Sequence, residues 1–415
     1  MSSTQQQNTM RLKFAATIND EALPENVDPD FEIAYIDIGN VDSSGTIHEI
    51  VDYRFEAAPS RARRIVRDGD IIISTVRTYL QAIAPIIEPP ENLIVSTGFA
   101  VVRPRPDQLD PGFCRYAVRE PRFLAEVEMR STGISYPAIN ASEIGDIAIA
   151  LPELPIQRRT SAFLDAELAQ LDTLIEAKEK LLGLLAEKRR TLVGEAVMRG
   201  LDRSAPLCPS GIDWLGDIPT HWEIERSRWL FKERDERSET GEEEMLTVSH
   251  ITGVTPRSEK DVNMFEAETT AGYKLCFTGD LVINTLWAWM GAMGTAPVDG
   301  IVSPAYNVYT PGPRLLPAFV DALVRIPVFA QEVTRYSKGV WSSRLRLYPE
   351  GFFETFWPVP PLDEQEAIVA FIAEERTKID KLATATERSI ALLKERRSAL
   401  IAAAVTGQID IPEAA

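Results

Sequence analysis

The feature of this sequence that most restricts its fold is an internal repeat. The segment Gly69-Asp-Ile-Ile-Ile-Ser-Thr75 recurs as Gly279-Asp-Leu-Val-Ile-Asn-Thr285, at an offset of 210 residues. The segment Leu151-Pro-Glu-Leu-Pro-Ile-Gln157 recurs as Val359-Pro-Pro-Leu-Asp-Glu-Gln365, at an offset of 208 residues. Shorter matches keep the same order at nearly the same offset. Such a series indicates two copies of one structural unit.

Each copy divides into a module with strand signals and a long helical region. The strand signals are short apolar runs bounded by turns rich in glycine and proline. The predicted fold class is α/β (α+β), in which two modules with mixed, curved sheets are separated by two long helices that form an intramolecular antiparallel coiled coil. The predicted divisions are a disordered tail at 1–10, a first module at 11–150, a first helical region at 151–201, a second module at 208–356 and a second helical region at 357–410.

Local patterns within the modules predict individual elements. Alternating or continuous apolar runs predict strands, and runs that begin at a proline predict short helices. The predicted strands include 33–38, 70–75, 94–102, 281–284 and 302–309. Short helices are predicted within 111–129 and 317–336.

A heptad pattern of apolar residues runs through both helical regions. The spacing alternates between four and three residues, with some polar layers, which is typical of a coiled-coil seam. Prolines before each pattern, and Gly200 and Gly407 after them, predict where the two helices end. Each helix would have roughly 40 residues and a length of roughly 60 Å. The predicted seam consists of Leu164, Leu168, Leu171, Ile175, Leu182, Leu185, Leu192, Ile372, Ile379, Ile390, Leu393 and Leu400.

Two alternatives to this helix pair stay open, namely two separate core helices and a coiled coil between two chains. One chain supplies both helices, so we favour the intramolecular pair. A two-fold axis perpendicular to the seam would make the helices antiparallel and place the modules at opposite ends. Aligning the helix midpoints then predicts two symmetry-related salt bridges, Arg189 to Asp380 and Arg397 to Asp172.

The composition is typical of a soluble globular protein and excludes a membrane-spanning one. Hydrophobic residues make up 45% of the 415 residues, and no apolar run has the length needed to cross a bilayer. The first ten residues lack the basic flank and apolar stretch of a signal peptide. Cys114, Cys208 and Cys276 are far apart, which favours free thiols in a reducing compartment. We therefore expect a cytoplasmic protein.

The sequence contains no recognisable catalytic motif. It has neither a phosphate-binding loop nor the glycine fingerprint of a dinucleotide site. His48, His221 and His250 are scattered, so we expect no metal centre. Glu176-Ala-Lys178 has the spacing of a nuclease motif, but it lies on a predicted helix, where coiled-coil charges are the simpler explanation. We therefore expect a non-catalytic chain that binds no cofactor itself.

Basic and aromatic residues cluster in loops of both modules. Arginine and asparagine suit contacts to base edges and phosphates, and aromatic side chains can wedge between bases or pack on sugars. The alternative is ordinary solvated loops with tryptophans in the core. Trp287 and Trp289 suit that alternative, because they would point the same way on a strand. The candidate DNA-binding residues are Arg61, Arg63, Arg64, Arg67, Arg77, Tyr79, Arg130, Tyr136, Asn140, Trp287, Trp289, Arg335, Lys338, Trp341, Arg344 and Arg346.

The two proline-rich entries into the long helices, together with the segment at 210–222, resemble the specificity subunit (HsdS) of type I restriction–modification systems. The resemblance covers nearly the whole chain, although copy one lacks a counterpart of 210–222. It implies two target-recognition domains, each of which reads half of an asymmetric, bipartite site in double-stranded DNA. It further implies paired helices that set the spacing and dock two methyltransferase (M) subunits, which would bind S-adenosylmethionine. Motor–nuclease (R) subunits using ATP and Mg²⁺ would complete the complex.

The net charge of −18 opposes any nucleic-acid function, because affinity for phosphate usually needs a basic surface. Three other interpretations therefore stay open. They are a coiled-coil adaptor that presents two protein-binding modules, an enzyme with a cryptic site in one module, and a specificity protein of a related phage-defence methylation system without a nuclease. Partner subunits that also contact the duplex would supply positive charge, so we expect the isolated chain to bind DNA weakly.

Overall fold

The structure is a computed structural model that describes residues 8–24, 26–259, 269–339 and 345–412. The chain forms two compact units. Unit 1 contains residues 1–179 and 388–415, and unit 2 contains residues 180–387. Each unit therefore holds one module together with part of each long helix.

Unit 1 is a mixed α/β unit. Its strands are β1 (Thr9–Arg11), β2 (Ala16–Ile18), β3 (Glu32–Ile36), β4 (Val51–Arg54), β5 (Ala62–Ile65), β6 (Ile71–Ser74), β7 (Ile83–Pro85), β8 (Leu93–Ser96), β9 (Phe99–Pro104) and β10 (Ala148–Ala150). Its helices are α1 (Leu12–Ala15), α2 (Pro111–Ala117), α3 (Pro121–Arg130), α4 (Ala141–Gly145) and the first part of the long helix α5 (Leu154–Arg199).

Unit 2 has a similar set of elements. Its strands are β11 (Leu207–Pro209), β12 (Asp217–Pro219), β13 (Glu223–Arg226), β14 (Phe231–Arg234), β15 (Leu246–Ser249), β16 (Gly253–Pro256), β17 (Lys274–Cys276), β18 (Leu281–Asn284), β19 (Met293–Thr295), β20 (Gly300–Val302), β21 (Tyr306–Pro311) and β22 (Phe356–Val359). Its helices are α6 (Ser227–Leu230), α7 (Pro317–Val324), α8 (Pro327–Tyr336), α9 (Pro349–Phe352) and the first part of the long helix α10 (Leu362–Val405).

The same antiparallel four-stranded sheet lies in both units. Its strand order is β2-β9-β6-β7 in unit 1 and β14-β21-β18-β19 in unit 2, so the repeated Gly-Asp segment leads into an inner strand. Ile71 and Ile73 of β6 belong to a core that includes residues of the long helices, whereas Ile72 belongs to a second core on the other face. A strand that is buried on both faces needs a continuous apolar run, which explains the pattern in the sequence.

The second layer differs between the units. In unit 1 it is a mixed sheet of order β4-β3-β8-β5, in which β3 and β8 are parallel. In unit 2 it contains the two-stranded pairs β15-β16 and β17-β20. Two further pairs, β1-β10 and β13-β22, recur in equivalent places, and β10 and β22 precede the long helices. The predicted α/β fold class is confirmed.

Several predicted strands are shorter than expected or divided. The regions 94–102 and 302–309 each contain parts of two strands, because the chain turns within them. Strand β1 includes Thr9 and Met10, which corrects the predicted tail at 1–10. Their backbone pairs with β10, and this pairing orders them. Residues 1–7 lie outside the described residues.

The predicted short helices are present as pairs. The region 111–129 contains α2 and most of α3, and the region 317–336 contains α7 and α8. The second helix of each pair begins at a proline, Pro121 or Pro327. Proline cannot continue a helix but suits its first turn, so each region breaks there.

The two long helices have 46 and 44 residues. Both end where the sequence predicts, because Gly200 and Gly407 follow them with φ values of 72° and 62° in the left-handed region. All the predicted seam residues are buried or half-buried. Leu164, for example, has no exposed surface. The heptad pattern therefore identifies the packed face of each helix.

Within unit 1 the two long helices run antiparallel. Arg397 of α10 donates a hydrogen bond to Asp172 of α5 at 3.0 Å. Further along α5, Glu179 accepts a hydrogen bond from Lys394 at 3.1 Å. Residues nearer the C-terminus of α5 thus contact residues nearer the N-terminus of α10, as in an antiparallel pair.

Unit 2 shows the same direction. Arg189 of α5 donates to Asp380 of α10 at 3.1 Å, and Val197, further along α5, shares a core with Ile368 and Ile372. Both predicted salt bridges are therefore present, one in each unit. Their side chains are 25 to 55% exposed, so each pair contributes about 1 kcal/mol or less. The salt bridges show which residues of the two helices lie opposite each other, and the apolar seam stabilises this alignment.

A buried glutamine fixes the start of each long helix. The side-chain nitrogen of Gln157 donates to the carbonyl oxygens of Gln108 and Pro152 at 2.8 and 2.7 Å, and its oxygen accepts the Asp110 N–H at 2.8 Å. Gln365 makes the equivalent three bonds in unit 2 at 2.8 to 2.9 Å. Neither glutamine has exposed surface. The repeated proline-rich motif therefore ties the helix start to the loop before α2 or α7.

The repeated Gly-Asp pair has a structural cause as well. Asp70 is 1% exposed and accepts two hydrogen bonds from Arg103 of β9 at 2.9 and 2.8 Å. Its counterpart Asp280 accepts two from Arg234 of β14, at 2.8 and 3.5 Å. The buried ion pair thus persists although the arginine comes from a different strand. Gly69 has a φ of 83°, and a Cβ atom there would lie 3.2 Å from a proline ring of α2.

The three cysteines are free thiols, as the sequence predicts. Cys114 and Cys276 are buried, and Cys208 is half-buried. Burial raises the pKa of the Cys276 thiol to about 12. This thiol therefore stays protonated at neutral pH and acts as a small apolar group.

We expect Gln157→Ala to destabilise the protein by about 3 kcal/mol, because the change leaves one buried N–H and two carbonyl groups without partners. Denaturant unfolding followed by circular dichroism measures this loss. Gln365→Ala should have a similar effect. The control is Gln170→Ala on an exposed position of α5, which should change stability by less than about 0.5 kcal/mol. Equally small losses in all three variants would mean that the two glutamines do not fix the helix starts.

Candidate nucleic-acid interface

In unit 1, two loops with candidate residues meet at one end of the four-stranded sheet. The loop 75–81 follows β6, and the loop 131–139 follows α3. The N–H of Ile139 donates to the carbonyl of Thr75 at 2.9 Å. Two hydroxyl groups, one on each loop, lie 2.8 Å apart. The two loops therefore form one surface, named the unit 1 loop surface.

The unit 1 loop surface brings three candidates together, Arg77, Tyr79 and Tyr136. Arg77 has a φ of 50°, which is unusual for a residue other than glycine. Its guanidinium lies 5.0 Å from the centre of the Tyr136 ring, a cation–π contact. Tyr79 and Tyr136 are 55% and 67% exposed. The surface thus presents a positioned cation and two aromatic rings to solvent.

Sequence reasoning missed apolar residues on and beside this surface. Ile134 is fully exposed, Met129 is 71% exposed and Leu80 is 44% exposed. Large apolar side chains grouped in solvent often mark a contact site. Ile134 belongs to the segment Ser131-Thr-Gly-Ile134, which recurs in the sequence as Ser337-Lys-Gly-Val340, but nothing in this context separates an exposed isoleucine from a buried one.

Unit 2 has equivalent loops, 285–291 after β18 and 337–347 after α8. The N–H of Leu347 donates to the carbonyl of Thr285 at 3.1 Å. This bond is the counterpart of the Ile139 bond in unit 1, because it ties the second loop to the residue that follows the inner strand. The described residues of these loops are named the unit 2 loop surface.

The two candidate tryptophans lie on a single 3-10 turn rather than on a strand, so the strand interpretation was wrong. Trp287 is 51% exposed, and its ring stacks on that of Trp289 with 6.2 Å between centres and 22° between planes. Ala288, between them, is fully buried in the turn Ala288–Met290. The turn directs the small residue inwards and leaves Trp287 exposed and Trp289 half-buried.

The cationic candidates of unit 2 differ in whether an acidic side chain lies beside them. Arg335 lies 3.3 Å from Asp213, and Lys338 lies 3.8 Å from Glu350. Arg346 is exposed, and its backbone pairs with that of Lys338. Two candidates lie outside the described residues, namely Trp341 and Arg344.

The four arginines around β5 are only partly associated with the unit 1 loop surface. Arg67 lies before β6, at the opposite end of that strand, and pairs with a glutamate. Arg63 packs on a phenylalanine ring at 4.7 Å, and Arg64 is half-buried. Arg61 is exposed, and its carbonyl accepts a hydrogen bond from the turn that also contacts Thr75. Of the four, Arg61 alone therefore adjoins the loop surface through these bonds.

Arg130 and Asn140 flank the second loop of unit 1. Arg130 forms an ion pair with Glu126 at 2.9 Å within α3. Asn140 precedes α4, and its side-chain nitrogen donates to Glu143 at 3.0 Å. Both side chains take part in contacts that hold the ends of the loop.

Each unit exposes long apolar side chains on its part of the helix pair. In unit 1, Leu174 is 45% exposed and Leu392 is 57% exposed. In unit 2, Leu181, Leu184 and Leu382 are 36%, 52% and 49% exposed. These leucines lie outside the packed seam and are available to a partner.

Within the part of the chain that the structure describes, no cluster of histidine, cysteine and acidic residues is suited to hold a metal ion. His48 instead pairs with Asp42 at 2.7 Å, and His221 pairs with Glu364 at 2.6 Å. Among the same described residues, no helix combines the length and apolarity that a membrane span requires.

No protein-family model matches this sequence, and no curated protein does. Solved structures do match. One is a chain from a structure that concerns complex assembly and conformational transition of the type I R-M system. It is 22% identical, with 99% of this chain and 100% of that chain covered and a TM-score of 0.78. Another is the HsdS subunit from Thermoanaerobacter tengcongensis, 22% identical over 99% of each chain, with a TM-score of 0.57.

This chain has the fold of an HsdS subunit. The resemblance seen in the sequence is therefore confirmed for the fold over nearly the whole chain. The two loop surfaces of this HsdS-like fold expose cationic, aromatic and apolar side chains.

We expect Tyr136→Ala and Trp287→Ala to change the stability of this HsdS-like chain by less than about 0.5 kcal/mol, since both side chains are mostly exposed. Trp357→Ala is the contrasting control. That residue has no exposed surface, so its truncation should cost about 4 kcal/mol. Thermal denaturation of the three variants checks this. A large loss for either loop variant would show that its ring supports the fold.

Proposed function

We propose that this chain is the DNA sequence-specificity subunit of a type I restriction–modification complex. One observation carries the proposal. Each unit ties two loops to the end of an equivalent strand with an equivalent hydrogen bond, from Ile139 to Thr75 or from Leu347 to Thr285. The side chains on these loops nevertheless differ between the units. A shared scaffold with unlike loops suits the reading of two unlike half-sites, and the HsdS fold supports the same function.

The loop surfaces have the chemistry that direct readout needs. Arginine can bond to the edge of guanine in the major groove, and aromatic or apolar side chains can pack against thymine methyl groups or wedge between base steps. Arg77, Tyr136 and Ile134 supply these groups in unit 1, and Trp287 and Arg346 supply them in unit 2. Each unit then reads one half of a bipartite target in double-stranded DNA.

The exposed leucines of the helix pair serve as docking sites for two methyltransferase (M) subunits. An apolar side chain that is half exposed on a helix gains stability when a partner covers it. The partners bind S-adenosylmethionine and carry out methylation, and motor–nuclease (R) subunits use ATP and Mg²⁺. This chain supplies specificity without catalysis and works in the cytoplasm. Basic surfaces on the partners offset its net charge of −18, so the isolated chain binds DNA weakly.

Loop variants test which half of the target each unit reads. We expect the complex containing Arg77→Ala and Tyr136→Ala to relax specificity in one half-site, and the complex containing Trp287→Ala to relax it in the other. Each lost base contact should reduce discrimination by about tenfold to a hundredfold. Methylation of a random duplex library by the reconstituted complex, followed by sequencing, measures both halves at once.

The control for this experiment is Arg67→Ala, because Arg67 pairs with a glutamate at the opposite end of β6. It should leave both half-sites unchanged. A complex that binds duplexes without sequence preference, or loop variants that leave both half-sites unchanged, would instead favour a coiled-coil adaptor.

A second prediction concerns docking. The double variant Leu181→Glu and Leu184→Glu should abolish co-purification with the methyltransferase subunit, because it places charge where an apolar contact is expected. The control Lys188→Glu also changes the net charge by −2, but it leaves both leucines in place. It should retain the partner. Circular dichroism of the free variants verifies that the helices persist, and co-purification of the double variant at the normal level would refute this docking site.

A further inference from the structure

Unit 2 contains a cleft of about 890 Å³ between its module and its parts of the long helices. Four arginines line this cleft. Arg189 and Arg190 come from α5, Arg325 follows α7, and Arg376 comes from α10. Two aspartates, Asp321 and Asp380, also line it, and much of the remaining wall is apolar. The cleft therefore has a surplus of two positive charges, four arginines less two aspartates.

The two aspartates already have partners. Asp380 bonds to Arg189 at 3.1 Å, and Asp321 lies 3.7 Å from Arg325. Arg376 has no hydrogen-bond or ion-pair partner among the residues that the structure describes. It is exposed and therefore accessible to a ligand. Desolvation, and then the positive charges of Arg189 and Arg325, lower the pKa of the Arg376 guanidinium, and the attraction of Asp380 and Asp321 offsets this only in part. An anion in the cleft would relieve this repulsion.

The internal repeat shows that helix packing does not require Arg376. The helices align at an offset of 208 residues, so the counterpart of Arg376 is Leu168. Leu168 is 3% exposed and belongs to the core of unit 1. The same heptad position therefore accepts leucine in one copy and carries a free arginine in the other. This difference indicates a role for Arg376 other than packing.

We propose that this arginine cleft is a phosphate-binding site in which Arg376 contacts the ligand directly. Guanidinium groups match phosphate oxygens in geometry, and several of them can bond to one phosphate. A phosphate with two negative charges balances the surplus charge. The volume lies within the range of small-ligand sites, so a mononucleotide fits as well as a phosphate of a nucleic-acid backbone. The site does not depend on how the loop surfaces act.

The test is a calorimetric titration of the full chain with three separate probes: inorganic phosphate, adenosine monophosphate and a short DNA duplex. At least one probe should bind the unmodified protein and bind Arg376→Leu about tenfold more weakly or worse, which is the loss of one charged hydrogen-bonding group. Arg388→Leu removes the same charge from an exposed position further along α10, and it should bind each probe normally.

The three probes distinguish the sources of the phosphate. Binding of a small probe that depends on Arg376 identifies a free phosphate or nucleotide as the ligand. If only the binding of the duplex depends on Arg376, the ligand is a phosphate of the nucleic-acid backbone. If no probe distinguishes Arg376→Leu from Arg388→Leu, the proposal is overturned.

A second variant keeps the test valid if Arg376→Leu folds poorly. Arg376→Lys keeps the positive charge but loses the planar fork, so its affinity should lie between those of the unmodified protein and the leucine variant. Without phosphate in the buffer, the thermal midpoint of Arg376→Leu should not fall, since Leu168 occupies the equivalent position in unit 1. Equal affinity of Arg376→Lys and the unmodified protein would exclude bidentate contact by Arg376.

Discussion

Everything in each unit depends on the packing of its module against the long helices. Leu164 and Leu168 of α5 belong to one core with Ile71 of the central sheet and Phe113 of α2. Because module and helices share this core, the helix pair cannot separate without exposing the inner face of the sheet. The buried glutamine at the start of each long helix fixes the angle at which the chain passes from the module into that helix. The loops at the strand ends therefore project from a rigid base.

Electrostatic interactions have different roles in different places. The buried pair of Asp70 and Arg103 holds the central sheet and persists in unit 2 with an arginine from another strand. The exposed salt bridges of the helices add little stability, because water screens them. Arg376 makes no hydrogen bond or ion pair among the described residues, and this fits the proposed binding role. A net charge of −18 therefore does not describe any one surface, since positive groups are concentrated at a few places.

The repeat shows which features the fold requires and which vary. Gln157 and Gln365 form hydrogen bonds with equivalent backbone groups in the two copies, so the fold requires glutamine at both positions. Beyond the strand ends, copy one has Arg77 stacked on Tyr136, whereas copy two has a pair of stacked tryptophans. The scaffold is therefore duplicated, and the exposed chemistry differs. This division is what a reader of an asymmetric target needs.

The sequence by itself determined the features that depend on spacing along the chain. The repeat, the heptad seam, the glycine stops and the salt bridge from Arg189 to Asp380 all followed from periodicity and alignment. Only the tertiary structure decided which groups from distant segments meet. It paired Arg67 with a glutamate, turned Ala288 rather than the tryptophans inwards, exposed Ile134 and left Arg376 free in a cleft. The physical reason is that exposure and pairing depend on neighbours brought by folding, and no local pattern records them.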